Sequence, residues 1–328
     1  MSEPEEIPAG ALSLAQRLFP GAGSLSWHPL GSGGISRVWR LVVGDRPAAN
    51  AVIKETGSVG SDPDFVRREA AAYRDVLPRL GIRTPRLLDS VEHGDVRYLA
   101  LEDLTTGYGF PAEDHRWTLD EFRCFLPGYA HLHVEGREVG RRPWMLEYGQ
   151  PTWSPDAVSS QALDLARLGI WGDLPGLSAM ARRAFEELAS LDGLDTILHL
   201  DVHPSNVGLR HAPPCRCALI DWDMTGWGAP EFDLAYLDIQ PFGASLGVDR
   251  ELVLDIYWRE RERLGGAVPA AAERNRRQRV ADEVFALALV SVAHRSVVQP
   301  YAGGSKPARY WNAMRPLLFE KLNGLLTR

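Results

Sequence analysis

The chain has 328 residues, 45% of them hydrophobic and 24% charged, with a formal net charge of −7 and a pI near 5.8. Such a composition suits a soluble globular protein with two compact units, or one unit with a cleft, and its acidic balance excludes duplex nucleic acid as an expected partner. No apolar run approaches the roughly 20 residues that span a bilayer, and the acidic start at Met1 has neither the basic region nor the apolar core of a signal peptide.

Three cysteines (Cys124, Cys215, Cys217) give no disulfide framework, which fits a reducing cytoplasm. Cys215-x-Cys217 with His203 and His211 nearby matches no common zinc spacing. Lysine is scarce (Lys54, Lys306 and Lys321 only), which makes Lys54 conspicuous.

In chain order, Ala11–Phe19 reads as a short amphipathic helix and Ser26–Leu30 as a strand running into Gly31-Ser32-Gly33-Gly34. Strands follow over Ile35–Val43 and Ala51–Glu55, separated by a turn at Gly44–Pro47. Ser61-Asp62-Pro63 is a helix start, a capping side chain and then proline, and the helix is expected to run to about Leu77 with Phe65, Glu69 and Tyr73 on one face. Arg86–Val91 and Val96–Glu102 read as two further strands. The expectation is a five-stranded, largely antiparallel sheet with one inserted helix.

Beyond Leu104 the apolar period becomes helical over Leu119–Glu135, Pro155–Leu168 and Leu177–Leu191. A strand-like island (Thr196–Leu200, Val207–Leu209, Cys217–Ile220) interrupts the helices, which return from Phe232, most clearly over Glu251–Leu264 and Ala271–Arg295. The boundary is placed at residue 104: a β-rich unit over 1–104 and a larger, mainly helical unit over 105–328, an α+β class.

The chemistry concentrates in His199-Leu-Asp201-Val-His-Pro-Ser-Asn206 and in Asp221 at the end of the next hairpin. That spacing brings two carboxylates and an amide to one edge of a small sheet. Phosphoryl transfer needs such a set: a carboxylate to orient the attacking hydroxyl, and hard oxygen ligands for the magnesium ions on a triphosphate. Gly31–Gly34 between two strands can lay backbone N–H groups over phosphates, although a plain glycine turn reads the same. Lys54 shares the inward face of its strand with Val52, and a buried ammonium needs a partner, which Glu69 on the next helix offers. A surface ion pair is the competing interpretation.

His199-x-Asp201-x₄-Asn206, Ile220-Asp221-Trp222-Asp223 and Phe232-Asp233-Leu234-Ala235 together resemble the aminoglycoside phosphotransferase and choline kinase-like family. The resemblance implies a protein-kinase-like bilobal fold, with Asp201 as the catalytic aspartate and Asn206 and Asp221 as magnesium ligands. It implies that Lys54 meets the α- and β-phosphates of ATP or GTP, that Glu69 positions Lys54, and that the Glu102–Leu104 hinge meets the base through backbone groups. Asp233 would cap the Phe232–Leu237 helix and brace the site, and His133 would pack in the helical core. Leu200 departs from the family pattern, which has a small or polar residue there.

Asp223 and Asp238 are candidate substrate contacts, with a solvated loop carboxylate as the alternative for Asp223. Arg259–Arg263 with Arg274, Arg276, Arg277 and Arg279 reads as solvated helix faces. His131 and His133 lie on different helix faces and do not chelate one ion. The expected activity is magnesium-dependent phosphorylation of a small-molecule hydroxyl, an antibiotic or related secondary metabolite. Alternatives are an amino alcohol or sugar kinase and a catalytically silent nucleotide binder. A protein kinase is disfavoured because about ten residues separate Asp221 from Phe232.

Overall fold

The computed structural model describes residues 7–32, 37–44, 50–56, 63–94, 96–112, 115–147, 155–172, 174–188, 191, 193–210, 212, 214–239, 248–298 and 306–327. Gly33 and Gly34, and with them the core of the expected phosphate loop, lie outside these residues, while Gly31 and Ser32 end the first strand.

Five strands, β1 (Leu25–Ser32), β2 (Arg37–Val43), β3 (Ala51–Thr56), β4 (Leu87–His93) and β5 (Val96–Glu102), form one sheet in the order β1-β2-β3-β5-β4. Every neighbouring pair is antiparallel. The two-residue period of these strands sorts their side chains into two cores. Trp39, Leu41, Ile53, Tyr98 and Ala100 face outward onto α1 (Ala9–Leu18), which contributes Ala11, Leu14 and Ala15. Leu99 and Leu101 face the other way and join the main core with Val52 packed beside them. Lys54 pairs with Leu99 across β3 and β5 and therefore projects from this inward face.

After β3 the chain enters α2 (Pro63–Ala71), which runs on through a π-turn over Ala72–Val76 and a 3₁₀ turn over Leu77–Arg79. The expected single helix to Leu77 is thus continuous but changes pitch after Ala71. Asp103 anchors the crossing between the two units: it accepts from Arg40 Nε of β2 (2.6 Å) and from the Thr105 amide (2.9 Å).

The larger unit is built on α3 (Leu119–Val139), which opens with a reciprocal capping box between Thr118 and Glu121. It is followed by β6 (Leu146–Glu147), α4 (Pro155–Arg167), α5 (Leu177–Leu188), β7 (Thr196–Leu198), the β8–β9 hairpin (Val207–Arg210, Arg216–Leu219) and β10 (Gly226–Gly228). Next come α6 (Glu231–Ile239), α7 (Arg250–Arg263), α8 (Ala271–Val298) and α9 (Lys306–Leu326). Helix α6 divides two cores. Leu234 and Leu237 pack with α3 and α7, whereas Phe232 and Ala235 pack with α4, α5, α8 and α9. Among the described residues, no helix is long and apolar enough to cross a membrane.

Two expectations require correction. Cys124 of α3 and Cys215, in the β8–β9 connection, form a disulfide with Cα atoms 5.5 Å apart, and Cys217 is the free, buried cysteine. The partners lie 91 residues apart and meet only because α3 packs on the hairpin, so the cysteine argument for a reducing compartment lapses. Thiol titration of the unfolded, unreduced chain is expected to return one thiol; three would remove the bridge. The arginine stretch is likewise not wholly solvated. Arg261 and Arg277 are buried, the former bonded to the Ala267 carbonyl and Tyr257 hydroxyl and the latter to Glu231 at 2.6 Å. Arg259, Arg263, Arg276 and Arg279 do pair with acidic groups at helical surfaces, as periodicity suggested.

Candidate active site

The segment from β7 to Asn206 is fixed from behind by one buried carboxylate. Asp233, in the first turn of α6, accepts from the amides of His199 (2.9 Å) and Leu200 (2.7 Å) and from His133 Nε2 (3.1 Å). It therefore braces the site but does not cap α6: its oxygens are turned to the strand end, not to its own helix. The bonds explain how Leu200 holds a φ of +61°, a left-handed conformation that favours glycine or a short polar residue. The same conformation accounts for the small or polar residue the resemblance led one to expect there.

Both core histidines are held neutral by their partners. His199 Nε2 faces the Ile220 carbonyl (2.9 Å) and must donate, while its Nδ1 accepts from the Asp201 amide (3.3 Å). His133 donates from Nε2 to Asp233 and accepts at Nδ1 from the Tyr257 hydroxyl (2.8 Å). Burial lowers the pKa of each below the ordinary histidine value, against the pull of the Asp233 charge. Between the folded and unfolded pKa values the unfolded chain binds more protons, so this contribution is complete above about pH 6.5 and declines on acidification. In an NMR titration the imidazoles of His133 and His199 are expected to stay neutral to below the ordinary histidine range, and protonation at or above about pH 6.5 would contradict the neutral tautomers.

Asp201 follows Leu200 and keeps an open side, with 24% of its side chain exposed. Asn206 Nδ2 donates both to its Oδ2 (3.0 Å) and to its backbone carbonyl (3.0 Å), and His203 Nε2 lies 3.5 Å from Oδ2. The Tyr236 hydroxyl of α6 donates to Oδ1. Burial works against charge here, but His203 and the Tyr236 hydroxyl overcome it and hold the carboxyl well below the usual carboxylate range.

A 3₁₀ turn over Pro204–Asn206 delivers Asn206, whose carbonyl accepts from the Ile220 amide (3.0 Å). That bond sets Asn206 beside the residue preceding Asp221. Asp221, at φ +66°, turns out of the strand direction at the end of β9.

Lys54 Nζ meets Asp221 Oδ1 at 2.5 Å, Glu69 Oε2 at 2.8 Å and Asp223 Oδ2 at 3.9 Å. Lys54 and Glu69 are both buried, so the surface ion pair is ruled out. Burial disfavours the ammonium, yet Asp221, Glu69 and Asp223 outweigh it and raise its pKa well above the ordinary lysine value. Burial pushes Glu69 up despite Lys54, and burial together with the Asp221 charge pushes Asp223 up much further. Ligand oxygens of Glu69, Asp221 and Asp223 lie within 4.8 Å of one another, and Asp223 Oδ1 is buried without a hydrogen-bond partner among the described residues. Three carboxylates facing one ammonium, with an unsatisfied oxygen among them, fit a divalent cation with hard oxygen ligands.

Arg68 of α2 is buried and donates to the carbonyls of Trp144 (3.1 Å) and Asp223 (3.2 Å), tying the Glu69 helix to the segment after Asp221. The Glu102 carboxylate is occupied by Arg83 (2.6 Å) and Arg86 (3.3 Å), and the Leu104 carbonyl accepts from Gly107 and Tyr108. The Glu102 side chain and the Leu104 carbonyl are therefore both engaged within the chain. Trp222 is buried against His199, with ring centres 4.5 Å apart, and lines the core. His131 pairs with Glu135, apart from His133. The side chain of Asp238 lies outside the described residues.

Tyr236, His203 and Arg68 carry no role in the sequence reasoning. Only Tyr236 left a signal there, three residues beyond Asp233 on the same helical face.

The model of the phosphotransferase enzyme family (APH) matches residues 26–250. Solved structures share the fold over nearly the whole chain. A GDP complex of wild-type aminoglycoside 2'-phosphotransferase-IIIa is 12% identical, with a TM-score of 0.65 over 95% of this chain and 97% of that chain. A macrolide 2'-phosphotransferase from Brachybacterium faecium is 19% identical, with a TM-score of 0.53 over 93% and 96%. An ethanolamine kinase from Plasmodium vivax is 13% identical, with a TM-score of 0.57 over 94% and 85%. No curated protein sequence matches the chain.

Proposed function

Because the chain belongs to the phosphotransferase enzyme family and has its kinase-like fold, we propose that it moves the γ-phosphate of ATP or GTP onto a hydroxyl of a small molecule. The observation that carries this proposal is the double convergence at the sheet edge. Lys54 gathers Glu69, Asp221 and Asp223, while Asn206 and Tyr236 hold Asp201 with its carboxylate open on one side.

The residues divide the work. Lys54, held by Glu69, binds phosphate oxygens through its ammonium. Magnesium would be held by Asp221 and Asp223, with the Oδ1 of Asn206 left available because Nδ2 is spent on Asp201. When bound, it supplies positive charge against the triphosphate oxygens. Asp201 orients the acceptor hydroxyl and receives its proton at the carboxylate. Its low pKa suits orientation and late proton acceptance more than early deprotonation of an alcohol, as a loose transfer of a metaphosphate-like group requires. Arg68 keeps the Lys54–Glu69 pair in register with residue 223.

The acceptor we favour is an antibiotic or related secondary metabolite of modest positive charge. Asp255 pairs with Arg259 at 2.6 Å, and Asp223 faces Lys54, so neither carboxylate stands ready for a polycation. An amino alcohol or sugar is the alternative acceptor. The test is phosphate transfer with magnesium and γ-labelled ATP or GTP across antibiotic, amino alcohol and sugar panels. Labelled product from one class would settle the acceptor. Magnesium-dependent nucleotide binding without transfer to any acceptor or to water would favour a silent binder.

A further inference from the structure

We infer that Tyr236 is a positioning residue for phosphoryl transfer, pinning one oxygen of Asp201 so that the carboxylate presents a fixed face to the acceptor hydroxyl. The inference deepens the proposed function and rests on Asp201 being the acceptor-side carboxylate.

Helix α6 approaches the reacting segment with one face. Asp233 and Tyr236 are separated by three residues and lie together on that face. Asp233 takes the amides of His199 and Leu200 and so fixes the backbone entering Asp201. Tyr236 acts one residue later, on the side chain: its hydroxyl donates to Oδ1, while Asn206 donates to Oδ2 at 3.0 Å. Two donors on opposite oxygens set the rotation of the carboxylate plane, which the backbone clamp alone leaves free. The tyrosine ring is itself held, against Phe285 of α8 with ring centres 5.1 Å apart. Phe285 is buried in the core of α4, α5, α8 and α9, so the orientation of Asp201 is referred to that packed core.

The consequence concerns rate more than binding. Asp201 makes no described bond to Lys54, Glu69, Asp221 or Asp223, the groups assigned to the nucleotide. Loss of the hydroxyl should therefore lower turnover and leave nucleotide affinity alone. Freeing the carboxylate plane mis-aims the group that orients the hydroxyl, and a loss of orientation of this kind is expected to cost about tenfold in kcat.

The test uses the full chain with magnesium and γ-labelled ATP or GTP, with water as the acceptor and enzyme in excess so that slow rates are read. Tyr236→Phe keeps the ring on Phe285 and removes only the hydroxyl. It is expected to lower the hydrolysis rate about tenfold, with nucleotide KM within about twofold and an unchanged melting temperature. In an Asp201→Ala chain the same change should have no further effect, because Tyr236 acts through Asp201. A wild-type rate for Tyr236→Phe, or an equal loss in both backgrounds, overturns the inference while leaving Asp201 in its role. Unchanged hydrolysis in Asp201→Ala overturns the underlying reading and the inference with it.

Discussion

Asp201→Ala is expected to abolish most phosphoryl transfer, lowering kcat by about 10²–10⁴-fold, while nucleotide affinity stays within about twofold. The two halves of this prediction have separate physical grounds. The rate falls because the acceptor hydroxyl loses the group that fixes its direction and takes its proton. Affinity survives because the cluster around Lys54 is assembled from Glu69, Asp221 and Asp223, and none of its contacts passes through Asp201. The loop also survives. Asn206 Nδ2 is bonded to the Asp201 backbone carbonyl as well as to the carboxylate, and that bond is untouched by alanine. Calorimetric titration with magnesium nucleotide, paired with a labelled transfer assay, separates the two. A fall in rate below tenfold would remove Asp201 from the reacting centre, and a parallel collapse of affinity would show that the site itself had come apart.

How much of this arrangement sequence alone could deliver depended on how each contact is encoded. Asp201, Asn206 and Asp221 lie within one short hairpin path, so strand ends and a proline turn were enough to bring them together. Lys54 and Glu69 were legible because strand alternation and the i, i+4 helical spacing each assign a face. Asp233 was assigned the right purpose with the wrong geometry, since an aspartate early in a helix looks like a cap until its oxygens are seen on the amides of residues 199 and 200. Tyr236 left only its i+3 spacing from Asp233, and that signal was too weak for a different reason. A tyrosine in an apolar helix reads as core packing, and its partner Asp201 lies 35 residues earlier on another element. The Cys124–Cys215 bridge and the buried Arg277–Glu231 pair failed likewise, being consequences of how helices pack and not of any local pattern. Asp223 shows the cost of ambiguity: a loop carboxylate by sequence, it lies 3.9 Å from Lys54 Nζ and within the cluster formed with Glu69 and Asp221.

Asp233→Ala is expected to destabilise the fold by about 3–5 kcal/mol, the scale for breaking a fully buried charged network by removing one partner. Three donors lose their acceptor at once: the amides of His199 and Leu200 and the Nε2–H of His133. None of the three groups can turn to water, because His133, His199 and Leu200 are all buried. Asp233→Asn sharpens the test. Asparagine preserves shape and one oxygen, but its amino group must face either the Leu200 amide or the His199 and His133 donors, setting donor against donor. The expected loss therefore approaches that of alanine, and an asparagine variant within about 1 kcal/mol of the unaltered chain in denaturant melts would refute the assignment. Turnover should fall as well, even at temperatures where the variant remains folded. Without Asp233 nothing repays the left-handed φ of Leu200, and relaxation of that residue re-aims Asp201, the next along the chain. A destabilised but fully active variant would mean that the strain at Leu200 is held by its packing alone.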